Sequence, residues 1–262
     1  LLLLTAGCGA SPQPAPSAAP EVTSPPAVTA TPEPTATPEP TPTATPEPMF
    51  TNPLTGEQTY TDYSQTRPVA IMVENNHWDD GTLISQGGLS QADIVYEMQV
   101  ESITRNMFLF MDTDGLNNVF PIRSARSYFV SAALSYDAIF AHCGKSGEGL
   151  EFADTMLVNY TDADDIEVHE GSCGFRQYDA PYFGAVHSMT TTGERLQDLF
   201  AQYGTRTTHR TDGYDYGLHF TEDAAPVNGE TAGSIHIVFP TNKITDFSYD
   251  AEKGGYTSTQ WI

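Results

Sequence analysis

Short apolar runs recur along the chain after residue 50, and their length and spacing predict the strands of a buried sheet. These runs lie within residues 67–76, 94–97, 103–111 and 136–144. Apolar residues at helical spacing predict helices after Ser124, over 146–160, and from the capping box at 191–194 to Gly204. The succession of strands and helices predicts an α/β fold over residues 50–210, with a mixed sheet and flanking helices.

The pattern changes towards the end of the chain, where apolar and polar residues alternate over 233–239, 244–250 and 255–261. Alternation with period two predicts half-buried strands, and the last two segments form a β-hairpin in this interpretation. Because the sequence ends on a strand, we expect residues 233–262 to be the start of a truncated, β-rich C-terminal domain.

Residues 1–49 lack any periodic apolar pattern that could form a core. Residues 9–49 consist mainly of Pro, Thr, Ala, Ser and Glu, and the unit TATPEP occurs three times between Thr29 and Pro48. This composition predicts a disordered, extended linker. Residues 1–8 are interpreted as a signal-peptide remnant, since an apolar run, two small residues and Cys8 resemble a bacterial lipobox.

The lipobox interpretation predicts lipidation of Cys8, and therefore a protein anchored to the cell membrane on its extracytoplasmic face. Thr5 stands where the lipobox pattern usually has Leu. A plain secretory signal with a chance cysteine is the alternative.

The chain is strongly acidic, with 11 Lys and Arg against 34 Asp and Glu and a formal net charge of -23. Such a charge disfavours nucleic acid as a partner. Arg123 and Arg126 nevertheless lie three residues apart, with Ser124 as a candidate N-cap of the following helix. Together with Arg105 they predict an anion site at a helix N-terminus. The alternative is that these arginines pair with Asp or Glu and hold a helix to the sheet.

Further candidate site residues follow from their positions at the ends of predicted elements. The set comprises Asn75 and His142 at strand ends, His187 and Ser188 before the last helix, and Asp93 and Glu97 beside the arginines. Each has a structural alternative: a turn, a hydrogen-bonded core histidine, or a salt bridge. We predict no metal or cofactor, because the seven histidines lack ligand spacing. Cys143 and Cys173 are expected to form a disulfide outside the cytoplasm.

Several segments, in this order, resemble the DUF3048 (YerB-like) family of bacterial lipoproteins. They are NPLTG at 52–56, RPVA at 67–70, GLSQADIVYE at 88–97, ITR at 103–105, PIRSAR at 121–126 and HS at 187–188. Asn106 and Cys143 depart from the family pattern. The resemblance implies an exported, membrane-anchored protein, and it implies no reaction.

Two functions follow from these observations. The first is binding of an anionic envelope ligand that bears phosphate or carboxylate. The alternative is a cell-envelope phosphoryl transferase or phosphodiesterase, in which the three arginines neutralise developing charge and Asp93 or Glu97 acts as base or metal ligand.

Overall fold

The computed structural model describes residues 49–77, 83–101, 103–145, 165–177, 187–221, 229–240 and 243–261. The predicted signal-peptide remnant with Cys8, the predicted linker up to residue 48, and the predicted helix at 146–160 all lie outside these residues. No helix in the described ranges is long and apolar enough to cross a membrane.

A five-stranded mixed sheet forms the centre of the fold. The strands before and within this sheet are β1 Phe50–Thr51, β2 Gln58–Thr59, β3 Val69–Asn75, β4 Ile94–Val100, β5 Ile103–Phe110, β6 Ile139–His142 and β7 Asp165–Glu167. The strand order in the sheet is β4-β5-β3-β6-β7, and β3 pairs antiparallel with β5 and parallel with β6.

β3 lies in the middle of this sheet, and all seven of its residues are buried. Successive side chains of a strand point to opposite faces. One face therefore carries Ile71 and Val73, which pack with Phe108, and the other carries Ala70 and Met72. A strand that is covered on both sides in this way reads in sequence as a continuous apolar run.

Among the described residues, one helix packs on each face of the sheet. α1, Ser127–Ser135, buries Phe129 and other residues against the face of Met72. α2, Gly193–Tyr203, buries Leu196 and other residues against the face of Ile71. The mixed sheet is as predicted, but the described fold is mainly β with few helices, so the α/β prediction holds only in part.

The two helices begin differently from each other. Thr192 caps α2, because its side-chain oxygen accepts a hydrogen bond from the Arg195 backbone, one residue later than the capping box at 191–194 predicts. The predicted cap of α1 at Ser124 is wrong, since the N-cap is Arg126 in an extended conformation. Ala125 is held in a parallel bridge to Lys145, which keeps the chain extended past Ser124.

The segment before α1 takes the place of β6 beside the last part of β3. β6 pairs with β3 only from Val69 to Ile71. Beyond that point Ile122 forms an antiparallel bridge with Val73, and the Arg123 amide donates to the Met72 carbonyl at 3.0 Å. This pairing fixes Arg123 at the carboxyl end of β3.

The remaining strands lie after β7. β8 Phe175–Arg176 pairs with β9 Met189–Thr190, and β10 Ser234–Val238, β11 Ile244–Asp250 and β12 Gly255–Trp261 form a separate antiparallel sheet. The three strands predicted near the end of the chain are thereby confirmed. We call this three-stranded unit the C-terminal sheet.

Candidate functional site

The carboxyl end of β3 carries a buried acid directly opposite a buried base. Glu74 on β3 is paired in register with Arg105 on β5. Both residues are buried: Glu74 is completely inaccessible to solvent, and Arg105 is 4% exposed. Register places both side chains on the sheet face that α1 covers, because directly opposed residues share a face.

Arg126 joins Arg105 at the start of α1. The Nη1 atoms of Arg105 and Arg126 both donate to the Ser124 carbonyl, at 3.0 and 3.4 Å. Arg126 also forms an ion pair with Glu101, with 2.7 Å between Nε and Oε1. α1 has no acidic side chain in its first turn, so no carboxylate of its own offsets the positive end of the helix dipole.

Arg123 reaches the same place from the segment beside β3. Its Nε lies 2.8 Å from Oε2 of Glu74, and Nδ1 of His187 lies 3.2 Å from the same oxygen. The side chains of Arg123 and His187 are 17% and 20% exposed, so solvent reaches this part of the cluster. Glu74, Glu101, Arg105, Arg123, Arg126 and His187 together are called the arginine cluster below.

Arg105 is the residue of the cluster whose pKa departs most from its ordinary value. Burial is the main reason that its pKa falls to about 10. The positive charges of Arg126 and Arg123 lower this pKa further, whereas the negative charges of Glu74 and Glu101 raise it. Arg105 therefore stays charged at neutral pH. The hydrogen bond from Arg126 holds the pKa of Glu101 below its ordinary value.

Besides Nε of Arg123, which lies in the ion pair with Glu74, two buried atoms of the cluster have no hydrogen-bond partner in the described part of the chain. They are Oε1 of Glu74 and Nε of Arg105. One is an acceptor and the other a donor. Buried polar groups in folded proteins are nearly always satisfied, by protein, water or ligand.

Asn75 and Glu97, which the sequence analysis grouped with the arginines, lie on the opposite face of the sheet. Asn75 donates to Glu97 at 3.0 Å and to Asn106 at 3.1 Å. Lys243 from the loop before β11 enters this network, 3.0 Å from Glu97 and 2.7 Å from Thr104. The carboxylate of Glu97 therefore forms an ion pair with Lys243 and accepts a hydrogen bond from Thr245 of β11.

Asp93 is not part of the cluster either. Its two carboxylate oxygens accept hydrogen bonds from Asn52 at 2.7 Å and from the Met111 backbone at 2.6 Å. Both contacts lie where β4 begins and β5 has just ended, at the far end of the sheet from Arg105. Asp93 thus ties the start of β4 to the residue that follows β5 and to Asn52.

His142 and Ser188 have structural partners of their own. Nε2 of His142 lies 2.8 Å from Asp165, and Nδ1 lies 2.9 Å from the Gly144 carbonyl. Burial alone would raise the pKa of Asp165, but His142 and Lys145 hold it below its ordinary value. Ser188 is buried and accepts from Arg176 at 3.3 Å.

The predicted disulfide between Cys143 and Cys173 is not formed. Both residues are free thiols, Cys143 half-buried after β6 and Cys173 buried in the turn before β8. Each packs as a small apolar side chain against the core on the face of Ile71. Burial raises the pKa of both thiols, which suits inert core residues rather than reactive ones.

Sequence reasoning missed two residues that organise these sites, Glu74 and Lys243. The position of Glu74 at the end of an apolar run, one residue before Asn75, was the available signal. Lys243 contacts Asn75 from 168 positions away, and nothing in its own surroundings in the sequence indicates that contact.

The comparisons with known proteins agree with one another. Residues 54–206 match a family described as "Protein of unknown function (DUF3048) N-terminal domain". The chain is 32% identical over 209 residues to the "Putative lipoprotein YerB" of Bacillus subtilis strain 168, a match that covers 78% of this chain and 58% of YerB. The chain therefore spans less than two thirds of that relative.

A solved structure is similar as well. The crystal structure of the YerB protein from Bacillus subtilis matches with a TM-score of 0.59 and 26% identity, over 81% of this chain and 67% of that one. The family match covers more than half of the chain, and the sequence identity and the shared fold support it independently. This chain belongs to the DUF3048 family.

Proposed function

We propose that this protein is an envelope lipoprotein, held at the extracytoplasmic face of the membrane through Cys8, which binds an anionic ligand at the arginine cluster. The lipoprotein part is supported by the name of its Bacillus subtilis relative and by the lipobox-like sequence before Cys8. The ligand carries phosphate or carboxylate, the groups that guanidinium recognises through paired hydrogen bonds.

The unmatched charge of Arg105 is the observation that carries this proposal. Arg123 has Glu74 as its ion-pair partner, and Arg126 has Glu101. Within the described ranges no carboxylate lies within ion-pair distance of Arg105, and its Nη1 donates to the backbone carbonyl of Ser124. A buried charge without a counter-ion in direct contact is costly, and a bound anion would offset that cost.

The position of the cluster supports the same function. It lies at the carboxyl end of β3, which is also the carboxyl end of the parallel strand β6 and the beginning of α1. Ligands of sheets with parallel strands bind at this edge, and anions favour the amino end of a helix.

The phosphoryl-transfer alternative receives less support. That mechanism required Asp93 or Glu97 as base or metal ligand, and their hydrogen bonds place them at the far end and on the opposite face of the sheet. Glu74, the carboxylate nearest to Arg123, is already in an ion pair. The arrangement therefore favours binding over catalysis.

The proposal is tested by thermal unfolding of the wild type and of Arg123→Ala, with and without phosphate at matched ionic strength. A ligand that binds only the folded state raises the melting temperature. We expect the wild type to be stabilised, and Arg123→Ala to bind phosphate about tenfold more weakly or worse, because one charged bidentate donor is lost.

Arg210→Ala is the matched control, since it removes an exposed arginine elsewhere on the surface. It should respond to phosphate as the wild type does. An equal response in all three proteins would contradict the proposal and leave Arg123 with a purely structural role.

A further inference from the structure

We infer that the anion bound at the arginine cluster is a protonated oxyanion, a hydrogen phosphate or protonated phosphate monoester, whose P–OH group donates a hydrogen bond to Oε1 of Glu74. This inference rests on the proposed function and specifies its ligand. The site would then accept hydrogen phosphate and reject sulfate, which has the same shape and charge and no proton to donate.

The first step of the argument concerns Glu74. Its Oε2 atom is held by Arg123 at 2.8 Å and by His187 at 3.2 Å. Its Oε1 atom is buried and has no hydrogen-bond partner in the described part of the chain. A buried carboxylate oxygen can only accept, so the group that completes it must carry an N–H or O–H.

The second step concerns Arg105, which faces Glu74 across the β3–β5 register. Its Nη1 is bonded to the Ser124 carbonyl, whereas its Nε is buried without a partner in the same described residues. A buried Nε–H can only donate, so its partner must be an acceptor. The cluster thus presents one unfilled acceptor and one unfilled donor together.

A tetrahedral oxyanion with one O–H group satisfies both atoms at once. A charged oxygen accepts from Nε of Arg105, and the hydroxyl donates to Oε1 of Glu74. A fully deprotonated anion would satisfy Arg105 but would bring an oxygen lone pair against the carboxylate. That contact repels in a buried site, where charges are poorly screened.

A single ordered water between Glu74 and Arg105 is the competing explanation. Water can donate to the carboxylate and accept from the guanidinium. In that case the water satisfies Oε1 of Glu74 and Nε of Arg105, and these two atoms do not distinguish between anions. Sulfate then binds as well as phosphate does. Comparing the two anions therefore separates the explanations.

The test is calorimetric titration of the wild-type protein with inorganic phosphate and with sulfate, at about pH 8 and matched ionic strength. At this pH both anions are dianions, and only phosphate keeps a proton. We expect phosphate to bind roughly tenfold more tightly or better, the effect of one hydrogen bond to a charged group. Equal affinity for both anions overturns the inference while leaving anion binding intact. The absence of binding by either overturns the proposed function itself.

The variant Glu74→Gln sharpens this test. An amide offers a donor as well as an acceptor, so the variant should bind sulfate about as well as phosphate. Glu57→Gln is the control, since Glu57 is exposed and its carboxylate lies outside the cluster. If Glu74→Gln fails to fold, because Glu74 also holds Arg123 and His187, the wild-type comparison alone decides.

Vesicle binding identifies the source of the phosphate. Phosphatidylcholine vesicles are prepared with phosphatidate, a monoester that carries a proton, and with phosphatidylglycerol, a diester that carries none. Binding to phosphatidate alone supports the inference and assigns a lipid headgroup. Binding to neither, with the preference for phosphate over sulfate in place, supports it and assigns a soluble phosphate. Equal binding to both lipids overturns it.

Discussion

The two ends of β3 each carry a cluster of buried charges, and the clusters differ in how completely their charges are matched. At the amino end, Arg67 donates to the backbone carbonyls of Asp137 and Arg206, both at 2.6 Å, and is completely buried. The Asp137 carboxylate accepts from Arg206 at 2.7 and 2.9 Å and from His209 at 2.8 Å. His209 is in turn hydrogen-bonded to Tyr216 at 2.7 Å.

At the carboxyl end one buried arginine has no such ion pair. Arg105 lacks a carboxylate within ion-pair distance among the described residues, although Glu74 and Glu101 lie near enough to affect its pKa. Both ends combine arginine, histidine and a carboxylate, and each holds one buried arginine, Arg67 or Arg105. The difference teaches that burial of arginine does not by itself indicate function, and that a missing ion-pair partner is the informative feature.

The largest expected effect comes from breaking the matched end. Asp137→Asn should lower the free energy of unfolding by about 3 kcal/mol, because Arg67 and Arg206 lose their shared counter-ion. Asparagine tolerates the positive φ of 47° at this position, so the backbone is preserved. Denaturant unfolding measures the loss, and the exposed Asp198→Asn should change stability by less than about 0.5 kcal/mol. A loss of phosphate binding in Asp137→Asn would break the distinction between the two ends.

The effect of Asp137→Asn should also depend on pH. Burial alone would raise the pKa of Asp137, but bonds from Arg206 and His209 and the charge of Arg67 hold it below its ordinary value of 3.8. Its stabilisation is therefore complete above that value and is lost as the pH falls through the lower folded pKa. The difference in unfolding free energy between wild type and variant should shrink in this acid range. If this difference in unfolding free energy stayed constant with pH, the negative charge of Asp137 would not contribute to stability.

The smallest expected effect comes from the unmatched end. Arg126→Gln breaks a pair whose partner, Glu101, is 61% exposed, so stability should fall by less than about 1 kcal/mol. Phosphate affinity should nevertheless fall, since one guanidinium leaves the cluster. Unfolding and titration of the same variant measure both quantities. A large loss of stability with unchanged affinity would make this end a structural clamp like the other.

The fold was predictable wherever a local pattern decided it. The apolar runs at 67–76 and 103–111 became β3 and β5, and the capping box at 191–194 became the start of α2. The start of α1 was not predictable, because a bridge between Ala125 and Lys145 outweighs the capping preference of Ser124.

The site was only partly predictable, for a geometric reason. Arg123 and Arg126 are close in sequence and stayed close in space, and Arg105 met them through strand pairing. Asn75 lies on the opposite face of the sheet from its neighbour Glu74, because successive positions on a strand point in opposite directions, and Glu97 lies on the same face as Asn75. No sequence signal said which face α1 would cover.

The adjacency of Glu74 and Asn75 on β3 has a mechanical consequence. Glu74 belongs to the arginine cluster, whereas the next residue holds Lys243 of the C-terminal sheet through its backbone carbonyl at 3.3 Å. A single peptide bond thus joins the anchor point of each unit. A ligand that shifted the backbone at Glu74 would therefore also reach the carbonyl that holds Lys243.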